Sequence, residues 1–174
     1  MLLLRHNVAH QPPEVRMHPV VKREVLSPNV TRLEIEASRI AQVRRPGQFV
    51  IVRIGDGAER VPLTIADADP EAGTITLTIQ AVGKTSCDLC MLQEGDAIQD
   101  VAGPLGEATE LVESGHAVCV GGGVGTAVVH PLAQGLAQND VQVTSCLLYT
   151  SPSPRDCVSN LVCRLLLEKG GGGG

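Results

Sequence analysis

Aromatic side chains are almost missing from this sequence: one Phe, one Tyr and no Trp in 174 residues. A core must therefore come from Val, Ile, Leu and Ala, which belong to the 43% of hydrophobic residues. An excess of positive charge is also missing, since the formal net charge is −5. Basic residues are scattered apart from Lys22-Arg23 and Arg44-Arg45, so a nucleic-acid surface is excluded. No apolar run approaches the roughly 20 residues of a membrane span. Six cysteines have no even framework spacing and follow no secretory signal, which sets the expectation of a reducing, cytoplasmic setting. No His/Cys/Asp/Glu cluster has metal-ligand spacing. Cys87-Asp88-Leu89-Cys90 stands alone, is read as a structural pair of buried small residues, and lacks two further ligands for zinc.

What is present has an order. Short runs of strand character fall at Val20–Leu26, Val30–Glu36, Phe49–Ile54, Val61–Ile65, Thr74–Ile79 and Ala97–Val101, separated by turn residues such as Ser27-Pro28-Asn29 and Gly55-Asp56-Gly57. In the second run Leu33 and Ile35 alternate with Arg32, Glu34 and Glu36, giving one buried and one wet face. Thr74–Ile79 alternates throughout with β-branched residues. Asp67–Gly73 reads as a polar loop, and Thr85 towards Leu92 as a short helix. Six such strands predict a small antiparallel barrel. The pattern then changes to strand, helix, strand at Ala117–Val120, Gly125–Gln138 and Val141–Ser145, the opening of a parallel α/β unit. Pro131 predicts a kink or restart within that helix.

Between the first of these strands and its helix lies Gly121-Gly122-Gly123-Val124-Gly125-Thr126. Glycines there tolerate positive φ and let backbone N–H groups come close to a ligand. The helix start behind them favours a pyrophosphate. Gly83-Lys84-Thr85 looks like the end of a P-loop, but Thr78 stands where that motif needs its first glycine.

Both ends read as foreign. Residues 1–16 lack periodicity, Met17 looks like a second start, and the expectation is upstream read-through. From Cys146 the text resembles a translated sequencing adapter, with Gly170–Gly174 as a run of G bases. The expected divisions are thus 1–16 leader, 17–110 barrel, 111–145 truncated nucleotide-binding unit and 146–174 non-native tail.

From Met17 to about Ser145 the chain resembles the ferredoxin–NADP reductase superfamily. It is most similar to the small flavoprotein subunit of the NADH-dependent ferredoxin–NADP oxidoreductase, or sulfide dehydrogenase, type. Arg60-Val61-Pro62-Leu63-Thr64 resembles the family's flavin signature, Val82-Gly83-Lys84-Thr85 its FAD pyrophosphate turn, Gly103–Gly106 its exit from the barrel, and Gly121–Thr126 its nicotinamide-nucleotide turn.

The resemblance implies an FR-type FAD-binding β barrel, then the start of an NAD(P)-binding domain. It implies an FAD-dependent NAD(P)H oxidoreductase passing electrons to an iron–sulfur or ferredoxin-linked partner. Arg60 would meet the pyrophosphate with a permanently charged fork. Pro62, Leu63 and Thr64 would offer backbone groups to the ring, with the Thr64 hydroxyl near flavin N5. Ile79, Gln80 and Ala81 would line the ribityl and diphosphate region, and Gly83, Lys84 and Thr85 would give amides to the second phosphate. No protein acid or base is required. The family carries further chain with a [2Fe-2S] segment absent here, and a larger partner subunit in a heterodimer. As written, the chain is expected to bind FAD weakly and to lack turnover. The electron-transfer subunit of dihydroorotate dehydrogenase and a non-catalytic flavin-binding barrel are the other readings.

Overall fold

A computed structural model describes residues 17–139 and 141–147, with the backbone of 148 and of 165–168. The expected leader, 1–16, lies outside the described residues, as do 149–164 and 169–174 of the expected tail. In chain order the elements are β1 (His18–Ser27), β2 (Val30–Glu36), α1 (Ser38–Val43), β3 (Phe49–Arg53), β4 (Val61–Asp69), β5 (Thr74–Gln80), α2 (Lys84–Met91), β6 (Ala97–Ile98), β7 (Asp100–Leu105), β8 (His116–Gly122), α3 (Thr126–Gln138), β9 (Gln142–Leu148) and β10 (Leu165–Glu168). A single 3₁₀ turn, Gly123–Gly125, leads into α3.

The first seven strands form one antiparallel sheet in the order β6-β1-β2-β5-β4-β3-β7. Six strand runs were expected and six occur, but the last bends at Gln99 and counts twice. Its first part pairs with β1 and its second with β3, so this one run ties together the two edges of the rolled sheet. The alternation in β2 and β5 is realised: Leu33, Ile35, Ile75, Leu77 and Ile79 are at most 1% exposed. Two helices plug the ends of the barrel. Ile40 and Ala41 of α1 enter the core at one end, Leu89 and Cys90 of α2 at the other.

One expectation is corrected. Asp67–Asp69 is strand rather than loop, because the ladder Asp67↔Thr76, Ala68↔Ile75 and Asp69↔Thr74 outweighs the weak β propensity of Asp. The turn is confined to residues 70–73, where Asp69 Oδ1 accepts from the Glu71 and Ala72 N–H groups, each at 2.9 Å. Helix α3 runs unbroken through the buried Pro131, which removes one hydrogen bond from its ladder.

A second, smaller core joins Ala117, Cys119, Val129, Leu136 and Val141. β8 and β9 are parallel. β9 continues to Leu148, past the expected junction at Ser145, and β10 runs antiparallel along the other side of β8. β8 therefore has a neighbour on each side. Helix α3 leans on the barrel: His130 Nε2 is 3.9 Å from Asp67 Oδ2, and the largely buried Arg44 reaches Asp67 Oδ1 at 3.3 Å.

Gly135 of α3 is packed tightly, since a Cβ there would lie 2.5 Å from Leu111 Cδ1 and 3.1 Å from Pro46 Cγ. The Leu111 methyl can swing aside, but the Pro46 ring cannot. Gly135→Ala is expected to destabilise the chain by about 1–3 kcal/mol through overpacking. The midpoint of urea unfolding followed by circular dichroism measures this, and an unchanged midpoint contradicts it.

Candidate functional site

The barrel has one place where neighbouring strands part. β4 and β5 share a ladder only from Ile65↔Leu77 to Asp69↔Thr74. Beyond Ile65, β4 pairs with β3 alone, from Phe49↔Thr64 to Val52↔Val61. Beyond Leu77, β5 follows β2, through Thr31↔Ile79 and Val30↔Gln80. The sheet therefore forks between residues 61–64 and 78–80.

Which backbone groups face the fork follows from one bond. Ile65 N–H donates to the Gln48 carbonyl at 3.2 Å, towards β3. Donors alternate sides along an antiparallel strand, so the Thr64 N–H points the other way, into the fork. Pro62 has the same parity. Proline suits a strand position whose N–H side meets no neighbouring strand, and the fork side of Pro62 is such a position while its other side pairs with Ile51. Leu63 and Thr64 are half-buried beside it and Pro62 is exposed.

At the mouth of the fork, where β5 ends, the Ala81 N–H is fixed by the Asn29 carbonyl at 2.8 Å and α2 begins. Gly83 is the N-cap, with extended backbone. The buried Ser86 hydroxyl organises the turn. It accepts from the Val82 and Gly83 N–H groups at 3.0 and 2.9 Å and donates to the Gly83 carbonyl at 2.9 Å. One donor and two acceptors are the full capacity of a hydroxyl. Gly83 was expected to offer its amide to a phosphate, but that N–H is engaged by Ser86. The N–H groups of Lys84, Thr85 and Ser86 have no carbonyl within the helix to bond. With the positive end of the helix dipole they suit an anion. The Lys84 side chain is 91% exposed and 3.4 Å from Asp88.

Arg60 enters β4 at the same mouth, 66% exposed, its guanidinium 3.8 Å from Asp100 Oδ2. Asp100 is gripped by Arg53, at 2.8 Å from Nε and 2.6 Å from the terminal nitrogen. Arg60 is thus left as a solvated cation beside an open strand edge.

The structure brings Arg60, Val61, Pro62, Leu63 and Thr64 together with Ile79, Gln80, Ala81, Gly83, Lys84 and Thr85 around one fork. The turn of Gly121, Gly122, Gly123, Val124, Gly125 and Thr126 is in the second unit, packed beside β5. There Gly123 has φ +55°, and a Cβ on Gly121 would stand 3.1 Å from the Thr126 Cα. The pair Cys87 and Cys90 is corrected in part: Cys90 is buried, while Cys87 is exposed because it sits on the outer face of α2.

Sequence reasoning missed three residues. Ser86 carried a signal, a hydroxyl three positions after a glycine at a helix start. Arg23 carried none: from β1 it donates to the Cys90 carbonyl at 3.0 Å and so holds the far end of α2. Asp100 likewise meets Arg53 and Arg60 only through the fold.

A cleft of about 680 Å³ lies at the other end of the β4–β5 ladder. Glu34, Asp67, Asp69 and Glu71 line it, a charge that repels phosphate.

No family model matches the chain. Over 131 residues it is 38% identical to the dihydroorotate dehydrogenase B (NAD(+)) electron transfer subunit homolog of Thermotoga maritima, covering 75% of this chain and 46% of that protein. Identity is 33% over 134 residues to the dihydroorotate dehydrogenase B (NAD(+)) electron transfer subunit of Geobacillus thermodenitrificans, covering 74% and 52%. Among solved structures, the NADH-dependent reduced ferredoxin–NADP oxidoreductase superposes with a TM-score of 0.74 at 37% identity, over 78% of this chain and 49% of the other. The ferredoxin reductase of carbazole 1,9a-dioxygenase, at 18% identity and a TM-score of 0.63 over 75% and 41%, shares the fold. The chain spans about half the length of these relatives. A forked antiparallel barrel, followed by a glycine turn between parallel strands, accompanies that sequence identity, and over about three quarters of its length the chain is similar to these electron-transfer subunits and to the ferredoxin–NADP oxidoreductase.

Proposed function

We propose that the chain is the FAD-binding barrel (17–110) and the first part of the NAD(P)-binding domain (111–145) of an oxidoreductase subunit. This subunit passes electrons from NAD(P)H through FAD to an iron–sulfur centre in a larger partner. The observation that carries the reading is the fork between β4 and β5, with an arginine and a helix start at its mouth. A dinucleotide with a flat ring and a pyrophosphate fits that donor set: an open strand edge for the ring, cationic and amide donors for the phosphates.

Bound FAD would supply the hydride-accepting and one-electron chemistry. The chain's own residues bind and orient. Thr64 presents its N–H and hydroxyl to the ring edge, Pro62 contributes its carbonyl, and Leu63 lies between them with its own backbone groups turned to β3. Ile79, Gln80 and Ala81 form the opposite bank. Arg60 and the amides of Lys84 and Thr85 hold the pyrophosphate, with Gly83 allowing close approach. Gly121 to Thr126 receive the nicotinamide nucleotide.

Residues 146–174, as adapter-derived sequence, take no part. The 38% identity to the Thermotoga maritima subunit homolog favours a second reading, the electron-transfer subunit of a dihydroorotate dehydrogenase. Both readings use the same fork.

Titration of the purified chain with FAD, read by quenching of flavin fluorescence, tests this. Saturable one-to-one binding is expected. Arg60→Ala is expected to weaken it about tenfold, the worth of one charge-assisted hydrogen bond of about 1.5 kcal/mol. Absence of binding, or unchanged affinity in Arg60→Ala, refutes the assignment. A non-catalytic barrel would bind FAD, but the restored longer gene would show no NAD(P)H-dependent dye reduction.

A further inference from the structure

Cys87 and Cys90 stand one helical turn apart on α2, the first exposed and the second buried. At 1.5 Å rise and 100° per residue, Cα atoms three positions apart are about 5 Å from each other. A disulfide spans about 4.4–6.8 Å between Cα atoms, so the helix already holds this pair at bonding range. The Cys90 thiol donates a long bond to the Ile79 carbonyl, 3.6 Å, and is also met by Thr31 of β2. No group of three potential metal ligands occurs among the described residues.

We propose that Cys87 and Cys90 form a dithiol site that exchanges with low-molecular-weight disulfides of the glutathione type and closes to an intramolecular disulfide. The Cys87 thiolate, reachable from solvent, attacks one sulfur of the incoming disulfide. A Cys87 mixed disulfide forms and the first small thiolate leaves. The Cys90 thiolate then attacks the Cys87 sulfur and expels the second. The two cysteines lose two electrons and two protons, and the incoming disulfide becomes two thiols.

The order of the two steps follows from exposure. Burial pushes the Cys90 thiol above its ordinary range, opposed by a hydrogen bond from Thr31 of β2 and by the charge of Arg23 on β1, while neighbouring Cys87 adds to the rise. Cys90 is therefore the resolving sulfur, and its step quickens as pH rises. The site depends on no flavin, so it stands or falls apart from the function proposed above.

The test incubates the full chain with excess oxidised glutathione at pH 7.5 and 9, then blocks free thiols with N-ethylmaleimide. Trypsin with Glu-C releases the segment from Thr85 to Glu94, which contains these two cysteines and no others. The segment is expected two hydrogens lighter and unalkylated, closing faster at the higher pH. Cys90→Ser is expected to retain glutathione on Cys87, and Cys87→Ser to take up none at Cys90. Recovery of the wild-type segment with both cysteines alkylated, or with a persistent glutathione adduct on Cys87, overturns the proposal.

Discussion

Leu77→Ala is expected to lower the free energy of unfolding by about 2–5 kcal/mol, a large part of the 5–15 kcal/mol typical of a domain. Leu77 is fully buried on β5, facing Leu33 of β2 on one side and Ile65 of β4 on the other. Removing its branched end leaves a void that the neighbours fill poorly. Ile35, Ile65, Ile75, Ile79 and Val50 around the core are β-branched and stiff at χ1. Phe49 is the one Phe in the sequence, and it is not among the fully buried side chains, so no ring can tilt into the space. The position has a second consequence. Leu77 is the last residue that β5 shares with β4 before the strands part, so its loss lets the fork run inward. Urea unfolding followed by far-ultraviolet circular dichroism is the measurement, since the sequence has no Trp. Thr78→Ala, next along the strand and only half-buried, is the control and should cost well under half as much. A loss below about 1 kcal/mol for Leu77→Ala would mean that the barrel does not unfold around this core.

How far the sequence is legible depends on whether the determining contact is local. Alternation placed Leu33, Ile35, Ile75 and Leu77 inward because a half-buried strand has period two wherever it lies. Helix α1 was missed. Its apolar pair, Ile40-Ala41, is too short to show a helical period, and only the barrel end it plugs makes it a helix. Asp67 and Asp69 read as loop because propensity is local, while the ladder to β5 is not. The same divide runs through the site. Thr85 reads as the start of a short helix, whereas Pro62 is singled out by the resemblance alone. The grip of Arg53 on Asp100, 47 residues away in the chain, and the hold of Arg23 on α2, 67 residues away, are written only in the fold. Arg60 shows both sides. The resemblance singled it out as a ligand-binding cation, but its neighbour Asp100 emerged only when β7 was placed beside β3.

Ser86→Ala is expected to reduce FAD affinity by about ten- to a hundredfold, or about 1.4–2.7 kcal/mol, and to cost about 1–3 kcal/mol of stability. The hydroxyl gathers two N–H groups and one carbonyl into a single turn. Without it the Val82 and Gly83 amides lose their acceptor. Val82 and Gly83 are both exposed, so water reaches the freed amides and keeps the stability cost towards the low end of that range. The helix itself survives, because the Cys87 N–H still donates to the Gly83 carbonyl at 2.9 Å. What changes is the path of residues 82–83, and with it the aim of the Lys84 and Thr85 amides towards the mouth where Arg60 stands. A phosphate site gains its affinity from donors fixed in advance, so a loosened turn should lose binding while the barrel stays folded. Ser86→Thr keeps the hydroxyl and is expected to restore most of the affinity. Parallel measurement of the urea midpoint and of FAD binding separates the two roles. If stability falls and affinity does not, Ser86 is a cap alone and the pyrophosphate is held elsewhere.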